Sequence, residues 1–319
     1  MKNTLRSNKF FMILIIIQIA GSIAVSPIIK HSGLPAYSSL IITEYGLIFV
    51  PSIIFLIVTR QPLKEALRLN PINIPSFLII ILIGIFSYPV IIFIGLISQL
   101  FFHNLLADSI QVLSSLPLWG SLLLLAVTPA ICEETAMRGA VLSGYKNVSI
   151  KKAAIMNGFL FGIFHMNPQQ FFYAFALGVI FVYLVEITDS IFSSMLCHFT
   201  CNGLSFTISY FAMKGMKNLN IQSSSVLSDK QALLQGTVVW LVIAGISFVI
   251  VVFLIKLLKS VNRNKGMENR EIKTVFRGIY SGGQQNSEKV MNWPVYGAIA
   301  IYFGFVIFAQ TVLNIHMIN

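Results

Sequence analysis

The sequence predicts an all-α integral membrane protein, a polytopic transmembrane helical bundle of eight or nine spans. Hydrophobic residues make up 56% of its 319 residues and charged residues only 10%. Soluble domains carry about 25% charged residues. The mean hydropathy is +0.82. A soluble fold could not cover its surface with so few polar side chains, so we expect the lipid bilayer to surround this chain.

Apolar runs that are long enough to cross the membrane follow one another along the chain. About 30 Å of hydrocarbon requires roughly 17 to 25 helical residues. Such runs lie near residues 10–28, 38–59, 76–102, 118–143, 151–167, 169–187, 189–213, 236–258 and 292–314. The first run could also be a signal peptide, but we interpret it as an uncleaved span. Only Asn167 and Pro168 separate the fifth run from the sixth, so we expect a tight helical hairpin there and eight or nine spans in all.

The distribution of basic residues predicts the orientation. The net charge is +11, but the Lys and Arg residues lie in short segments between apolar runs, so nucleic acid is not expected as a partner. With the N-terminus in the cytoplasm, the outer segments keep only Lys30, Lys214, Lys217 and Lys230. This bias predicts nine spans with the C-terminus outside. We expect an integral protein of a bacterial plasma membrane.

The chain divides into three predicted regions. Residues 1–117 hold the N-terminal transmembrane helices, 118–213 form a core with the polar motifs, and 214–319 hold the C-terminal spans. A basic segment at 259–291 lacks apolar periodicity and is expected to be a mobile cytoplasmic loop near anionic headgroups. The three cysteines, Cys132, Cys197 and Cys201, all lie in apolar segments and are predicted to be buried free thiols.

Ionisable residues inside the predicted spans are candidates for function, because each costs several kcal/mol unless it is paired or hydrated. Glu134 and Arg138 are four residues apart and share a helical face, which leaves the neighbouring Glu133 without a local partner. On the next predicted span, Phe161 and His165 are four residues apart, so the phenyl ring is expected to pack against the imidazole. Glu44 lies near the outer end of its span, and we interpret it as reaching the interface.

Polar groups from three spans are predicted to meet at similar depth. At about 1.5 Å per residue, Glu133 and His165 each lie roughly 20 Å from the presumed cytoplasmic end of their spans, and His198 about 14 Å. His198 and Asn202 share one face of the seventh predicted span. Alternatively, hydrogen-bond partners on other helices could satisfy these polar side chains, which would then have a structural role only. The similar depths favour a common site.

Glu133, His165, His198 and Asn202 supply what amide hydrolysis requires. A carboxylate can accept a proton from water, an imidazole can orient that water, and donors can stabilise an oxyanion. No serine or cysteine nucleophile is as well placed. Glu133, His165 and His198 could also bind zinc with one open position, although no HExxH motif is present. No cofactor is firmly predicted, and zinc is possible.

Three ordered motifs resemble those of a known family. Glu133–Arg138 fits EExxxR, Phe161–His165 fits FxxxH, and His198–Asn202 fits HxxxN. Over residues 118–205 the chain resembles the CPBP family, intramembrane peptidases related to type II CAAX prenyl endopeptidases and to bacteriocin-processing or immunity proteins.

The resemblance implies a helical membrane fold with a central, conical cavity that opens to the cytosol. It implies that Glu133 and His165 activate water, that His198 and Asn202 form the oxyanion site, and that Glu134, Arg138 and Phe161 support them. The expected partners are the bilayer and a peptide or membrane-protein substrate, prenylated or carrying a leader.

Two functions other than hydrolysis use the same residues. The chain could be a non-catalytic immunity or scaffold membrane protein, or a proton-coupled transporter. A transporter is expected to show paired half-repeats, and the sequence shows no such pairing.

Overall fold

A computed structural model describes residues 3–35, 37–102, 116–218, 230–263 and 288–318, and these residues are helical almost throughout. The helices are α1 (Asn3–Ser32), α2 (Ser38–Val58), α3 (Leu63–Ala66), α4 (Ile74–Gln99), α5 (Leu118–Tyr145), α6 (Ile150–Phe164), α7 (Pro168–Thr188), α8 (Ile191–Asn218), α9 (Lys230–Val261) and α10 (Trp293–Ile318). No strand occurs in these ranges. The all-α prediction is confirmed.

Six helices of the described part are long and apolar enough to cross a membrane, namely α1, α2, α4, α5, α7 and most of α9. This protein is therefore an integral membrane protein. The predicted count of eight or nine spans is not confirmed. Helix α6 has 15 residues and reaches about 22 Å, less than the hydrocarbon thickness. The apolar part of α10, Trp293–Ala309, is also short.

Helix α5 lies at the centre of the molecule. In its most apolar 18-residue window 61% of the residues are buried, against 17% for α1 and for α2. Helices α2 and α8 pack against it, and α8 also packs against α4 and α7. Helix α9 packs mainly on α4, and α10 packs on α1. The polar motifs therefore lie on the helices that the others surround.

Prolines explain why two spans are not regular α-helices. Helix α2 widens to a π-helix over Ile42–Phe49, just before Pro51, and α5 does so over Leu123–Val127, just before Pro129. A proline has no N–H, and its ring collides with the carbonyl four residues earlier, so the preceding turn opens. Helix α5 widens again over Thr135–Val141, directly after Glu134.

The predicted tight hairpin between the fifth and sixth apolar runs is present as α6 and α7. Met166 adopts a left-handed conformation with φ of 50°, and the Asn167 side chain accepts a hydrogen bond from the N–H of Gln169 at 3.0 Å. Pro168 is the first residue of α7, where its missing N–H costs nothing. These residues end one helix and begin the next.

Glycines allow α6 and α7 to touch through their backbones. A Cβ at Gly158 would lie 2.8 Å from the carbonyl oxygen of Phe175, and a Cβ at Gly178 would lie 2.7 Å from the Cα of Gly158. Gly158 and Gly162 are four residues apart, the small-residue spacing that brings membrane helices close together. The hairpin therefore holds His165, at the end of α6, in a fixed place.

Polar contacts join the N-terminal part of α1 to the segment that precedes α10. The N–H and the hydroxyl of Thr4 donate to Glu288 Oε2 at 2.9 and 2.8 Å, and Asn147 Nδ2 donates to Oε1 at 3.3 Å. Asn8 Nδ2 donates to the carbonyl oxygen of Val290 at 3.0 Å, and Tyr145 hydrogen-bonds to Asn8. Most of the predicted loop 259–291 lies outside the described residues.

Candidate active site

Glu134 is the acceptor at the centre of a buried charge cluster. Arg138 Nη1 donates to Glu134 Oε1 at 2.8 Å, so the pair expected from the spacing of four forms, and both side chains have no exposed surface. His198 Nδ1 donates to the same oxygen at 3.0 Å. Because a carboxylate only accepts, Nδ1 carries the proton and Nε2 faces the other way. Glu134 therefore fixes the orientation of His198.

Aromatic rings enclose this cluster. The guanidinium carbon of Arg138 lies 4.3 Å from the ring centre of Phe161 and 4.9 Å from that of Phe181. The ring of Phe181 stacks on the imidazole of His198 at 5.2 Å. Arg138 Nη2 also donates to the carbonyl oxygen of Gly178 at 3.3 Å. The rings keep the cation in an apolar surrounding, where cation–π contacts and ion pairs are strong.

Glu133 keeps the free carboxylate that its position predicted. Its Oε2 atom is buried and has no hydrogen-bond partner among the described residues. That oxygen lies 3.9 Å from His198 Nε2, too far for a direct hydrogen bond. Glu133 and His198 therefore lie close to each other without a direct hydrogen bond. The two adjacent glutamates thus differ at one oxygen: Oε1 of Glu134 accepts from Arg138 and His198, whereas neither of these donors bonds to Glu133. Oε2 of Glu134, like that of Glu133, is buried without a partner among the described residues.

His165 lies at the end of α6, and one of its ring nitrogens is hydrogen-bonded. Its Nδ1 donates to the carbonyl oxygen of Phe161 at 2.9 Å, and the two rings meet edge to face at 4.8 Å. The predicted contact of Phe161 with His165 is present. Because Nδ1 donates, Nε2 keeps its lone pair and is able to accept a proton or hold a water.

Asn202 lies one turn after His198 on α8. Its Nδ2 donates to the carbonyl oxygen of Leu125 at 3.2 Å, in the widened part of α5. The second N–H of this amide is not used by that bond. On α6, Asn157 Nδ2 donates to the carbonyl oxygen of Met137 at 2.9 Å, which ties α6 to the second widened segment of α5.

Glu44 belongs to the same region, which the sequence did not indicate. The π-helical part of α2 packs against Thr128–Glu134, which places Glu44 near Glu133 and Cys132. Its Oε2 atom is buried without a hydrogen-bond partner in the described chain. The signal available from the sequence was a glutamate inside a span followed, seven residues later, by Pro51.

Zinc at Glu133, His165 and His198 stays a prediction. Within the described ranges, no three or more His, Cys, Asp and Glu side chains are arranged to hold a metal ion. One nitrogen of His165 and one of His198 are used by Phe161 and Glu134. All three cysteines are free and buried, as predicted.

Comparison with protein-family models gives a match over the segment that contains these residues. Residues 115–204 match the family described as type II CAAX prenyl endopeptidase Rce1-like. The chain contains an Rce1-like segment. The resemblance predicted from the three motifs is thereby confirmed. The match covers well under half of the chain, and it includes α5 to the middle of α8. No curated protein and no solved structure matches this chain.

The Rce1-like segment contains all six polar residues of the candidate active site that belong to the three motifs. Glu133, Glu134 and Arg138 come from α5, His165 from α6, and His198 and Asn202 from α8. At the level of the family, the match indicates an intramembrane protease of the CAAX type. Glu44 lies outside the Rce1-like segment.

Proposed function

We propose that this protein is a membrane-embedded endopeptidase in which Glu133 and His165 activate water to hydrolyse a peptide bond. The observation that supports this most directly is the contrast between the two adjacent glutamates. Arg138 and His198 both donate to Oε1 of Glu134, whereas neither donates to Glu133, whose Oε2 lies 3.9 Å from His198 Nε2. A free carboxylate beside an oriented imidazole has the arrangement of a general base.

In this mechanism a water bound by Glu133 and by Nε2 of His165 loses a proton to Glu133. The resulting hydroxide attacks the carbonyl carbon of the scissile bond, and the carbonyl oxygen becomes an oxyanion. The ring of His198 and the second amide N–H of Asn202 donate to that oxyanion. Glu133 then passes its proton to the leaving nitrogen as the C–N bond breaks. Water is the only co-reactant that these reaction steps require.

The supporting residues hold these groups in place. The carboxylate of Glu134 accepts from Nδ1 of His198, and Arg138 balances the charge of Glu134. Phe161 contacts His165, His198 and Arg138 together. Such contacts fix the geometry before the substrate arrives, which is the main source of electrostatic stabilisation in enzymes.

The membrane setting and the family match support a proposal for the substrate class. We propose a membrane-associated peptide, either prenylated at its C-terminus or carrying a leader, cleaved by a protein of the bacterial plasma membrane whose N-terminus is cytoplasmic. A prenyl chain would place the peptide at the bilayer, where a site among transmembrane helices can reach it.

The decisive experiment replaces Glu133. Glu133→Gln keeps the shape of the side chain but cannot accept a proton, and we expect peptide cleavage to fall by about 10²- to 10⁴-fold. Membrane and secreted peptides from cells carrying Glu133→Ala, compared with wild type, should show the uncleaved substrate. Glu65→Gln, at an exposed glutamate of α3, is the matched control and should cleave normally.

Full cleavage by Glu133→Gln would refute the proposed role. A phenotype that survives loss of both Glu133 and His165 would instead favour an immunity or scaffold function. Zinc at Glu133, His165 and His198 stays a separate prediction, tested by elemental analysis of the purified protein and by activity after chelation. The mechanism above does not pass through a metal.

A further inference from the structure

An arginine outside the Rce1-like segment joins the loop between α3 and α4, residues 67–73, to the end of α7. Arg68 Nη2 donates to Glu186 Oε1 at 2.9 Å, and Arg68 Nη1 donates to the carbonyl oxygen of Val185 at 3.3 Å. Arg68 Nε lies 3.7 Å from Asp189 Oδ1. The side chain of Glu186 is 2% exposed, so this ion pair is shielded from water. One guanidinium therefore contacts three successive groups around the end of α7.

The backbone of the α3–α4 loop is also bound to the turn between α7 and α8. The N–H of Ile191 donates to the carbonyl oxygen of Arg68 at 3.2 Å, and the hydroxyl of Ser190 donates to the carbonyl oxygen of Asn70. Asn70 Nδ2 donates to the carbonyl oxygen of Asp189 at 2.8 Å. Arg68 and Asp189 both have a left-handed backbone, with φ of 47° and 52°. Such a conformation persists in residues other than glycine only where surrounding contacts fix it.

Both helices that meet at this turn carry parts of the candidate active site. His198 lies seven residues after Ile191, which is about 10 Å along α8 at 1.5 Å per residue. On α7, Phe181 stacks on the imidazole of His198 and lies five residues before Glu186. Helix α8 is a regular α-helix from Ile191 past His198. A displacement of the turn is therefore carried to the imidazole.

The same loop contacts the helix that holds the partner of His198. A Cβ at Gly139 would collide with the side chain of Leu67, so the glycine allows the α3–α4 loop to lie directly on α5. Gly139 follows Arg138, which bonds to Glu134. The loop thus contacts α5, which carries Glu134, and the start of α8, which carries His198.

We propose that Arg68 is a positioning residue that sets the direction of the His198 ring through the α7–α8 turn, an inference that rests on the proposed function. Arg68 does not touch the reacting atoms. Its guanidinium holds the turn, the turn holds the start of α8, and α8 holds His198 Nδ1 at 3.0 Å from Glu134. Without the guanidinium the start of α8 moves, and Nε2 of His198 no longer points at the oxyanion.

Kinetics of Arg68 variants test this role in full-length protein in liposomes, with a farnesylated peptide ending in a CAAX sequence. Arg68→Leu should lower kcat roughly tenfold and change KM less than about twofold, because a misplaced catalytic group slows the reaction without removing contacts that bind substrate. Arg68→Lys keeps the charge but loses the planar fork that bonds to Glu186 and Val185 together, so we expect a loss of about two- to threefold. Thermal unfolding gives the folded fraction, and rates are expressed per folded protein.

Arg60→Leu is the matched control. Arg60 is an exposed arginine between α2 and α3, and its backbone is also left-handed, with φ of 52°. The control therefore shares the loss of one positive charge and the strain of a leucine at positive φ. It should match wild type in kcat and KM. A kcat for Arg68→Leu equal to that of Arg60→Leu would overturn the proposal.

A ring signal of His198 gives a readout that does not depend on cleavage. In protein labelled with ¹⁵N at histidine, the Nδ1–H that donates to Glu134 is assigned by its absence in His198→Gln. We expect this signal to shift in Arg68→Leu, and less in Arg68→Lys, because the hydrogen bond to Glu134 is weakened. It should stay unchanged in Arg60→Leu. If Arg68→Leu does not fold, an unchanged signal and kcat in Arg68→Lys would overturn the proposal.

The outcomes separate the positioning role from the proposed function. Cleavage by wild type, together with an unchanged His198 signal and kcat in the Arg68 variants, would overturn the positioning role alone. A shifted His198 signal in Arg68→Leu without cleavage by wild type would support the positioning of the ring and overturn the endopeptidase for this substrate class. Neither a shift nor cleavage would overturn both.

Discussion

At the scale of single residues, one oxygen atom of Glu134 receives two donors. Arg138 and His198 both bond to its Oε1, and neither Glu134 nor Arg138 has exposed surface. A buried charge left without its partner costs about 3–5 kcal/mol, whereas replacing both partners by apolar residues is often neutral. The effect of the ion pair on stability can therefore be separated from the effect of Glu134 on the orientation of His198.

Arg138→Leu should destabilise the protein by about 3–5 kcal/mol, because Glu134 would keep a buried charge without its main partner. The double variant Glu134→Leu with Arg138→Leu should recover most of that stability while cleavage stays low, since His198 has lost the acceptor on Nδ1. Thermal unfolding in detergent and peptide cleavage measure the two effects. A double variant with normal cleavage would contradict the role of Glu134 in positioning His198.

At the scale of helices, the α6–α7 hairpin depends on two glycines at the point of closest approach. A Cβ at Gly178 would lie 2.7 Å from the Cα of Gly158 and 3.3 Å from Arg138 Nη2. The first neighbour is backbone and cannot move without shifting α6. The hairpin thus couples helix packing to the charge cluster and to His165.

Gly178→Ala should lower the stability by about 1–3 kcal/mol, because the added methyl group overpacks the contact. Cleavage should fall as well, since α6 carries His165. Gly245→Ala is the matched control in α9, where an added Cβ would meet nothing within 4 Å, and it should leave the melting temperature unchanged or slightly raised. An unchanged melting temperature for Gly178→Ala would contradict the close helix contact.

At the scale of the whole molecule, Glu288 joins the segment before α10 to the start of α1 and to the loop after α5. It accepts from the first N–H groups of α1, as an N-cap residue does, although it is distant in sequence. Burial raises the pKa of Glu288, but the hydrogen bonds from Thr4, Asn147 and Asn3 lower it by more, so its pKa lies below the ordinary value.

Glu288→Gln should lower the melting temperature by a few degrees near neutral pH, since loss of a helix cap costs about 0.5–2 kcal/mol. A lowered pKa means that the stabilisation is present above the ordinary glutamate pKa of about 4.3 and disappears as the pH falls through the folded-state pKa. The difference between wild type and variant should therefore shrink below about pH 4.3. A difference that is constant with pH would contradict the ionised cap.

The amino-acid sequence by itself determined the fold class, because 56% hydrophobic residues in long runs leave no soluble alternative. It also determined which residues are candidates, because Glu133, His165 and His198 are costly inside a span. The pairing of Glu134 with Arg138 followed from helical spacing alone, and so did the contact of Phe161 with His165.

Only the tertiary structure decided the partners that cross between helices. Spacing along one helix cannot show that His198 on α8 bonds to Glu134 on α5, or that Glu44 on α2 lies beside Glu133. The tertiary structure also decided the length of α6. The turn at Met166 and Asn167 ends the fifth apolar run, which looked long enough to span the membrane. Periodicity acts within a helix, whereas these contacts depend on how helices pack against one another.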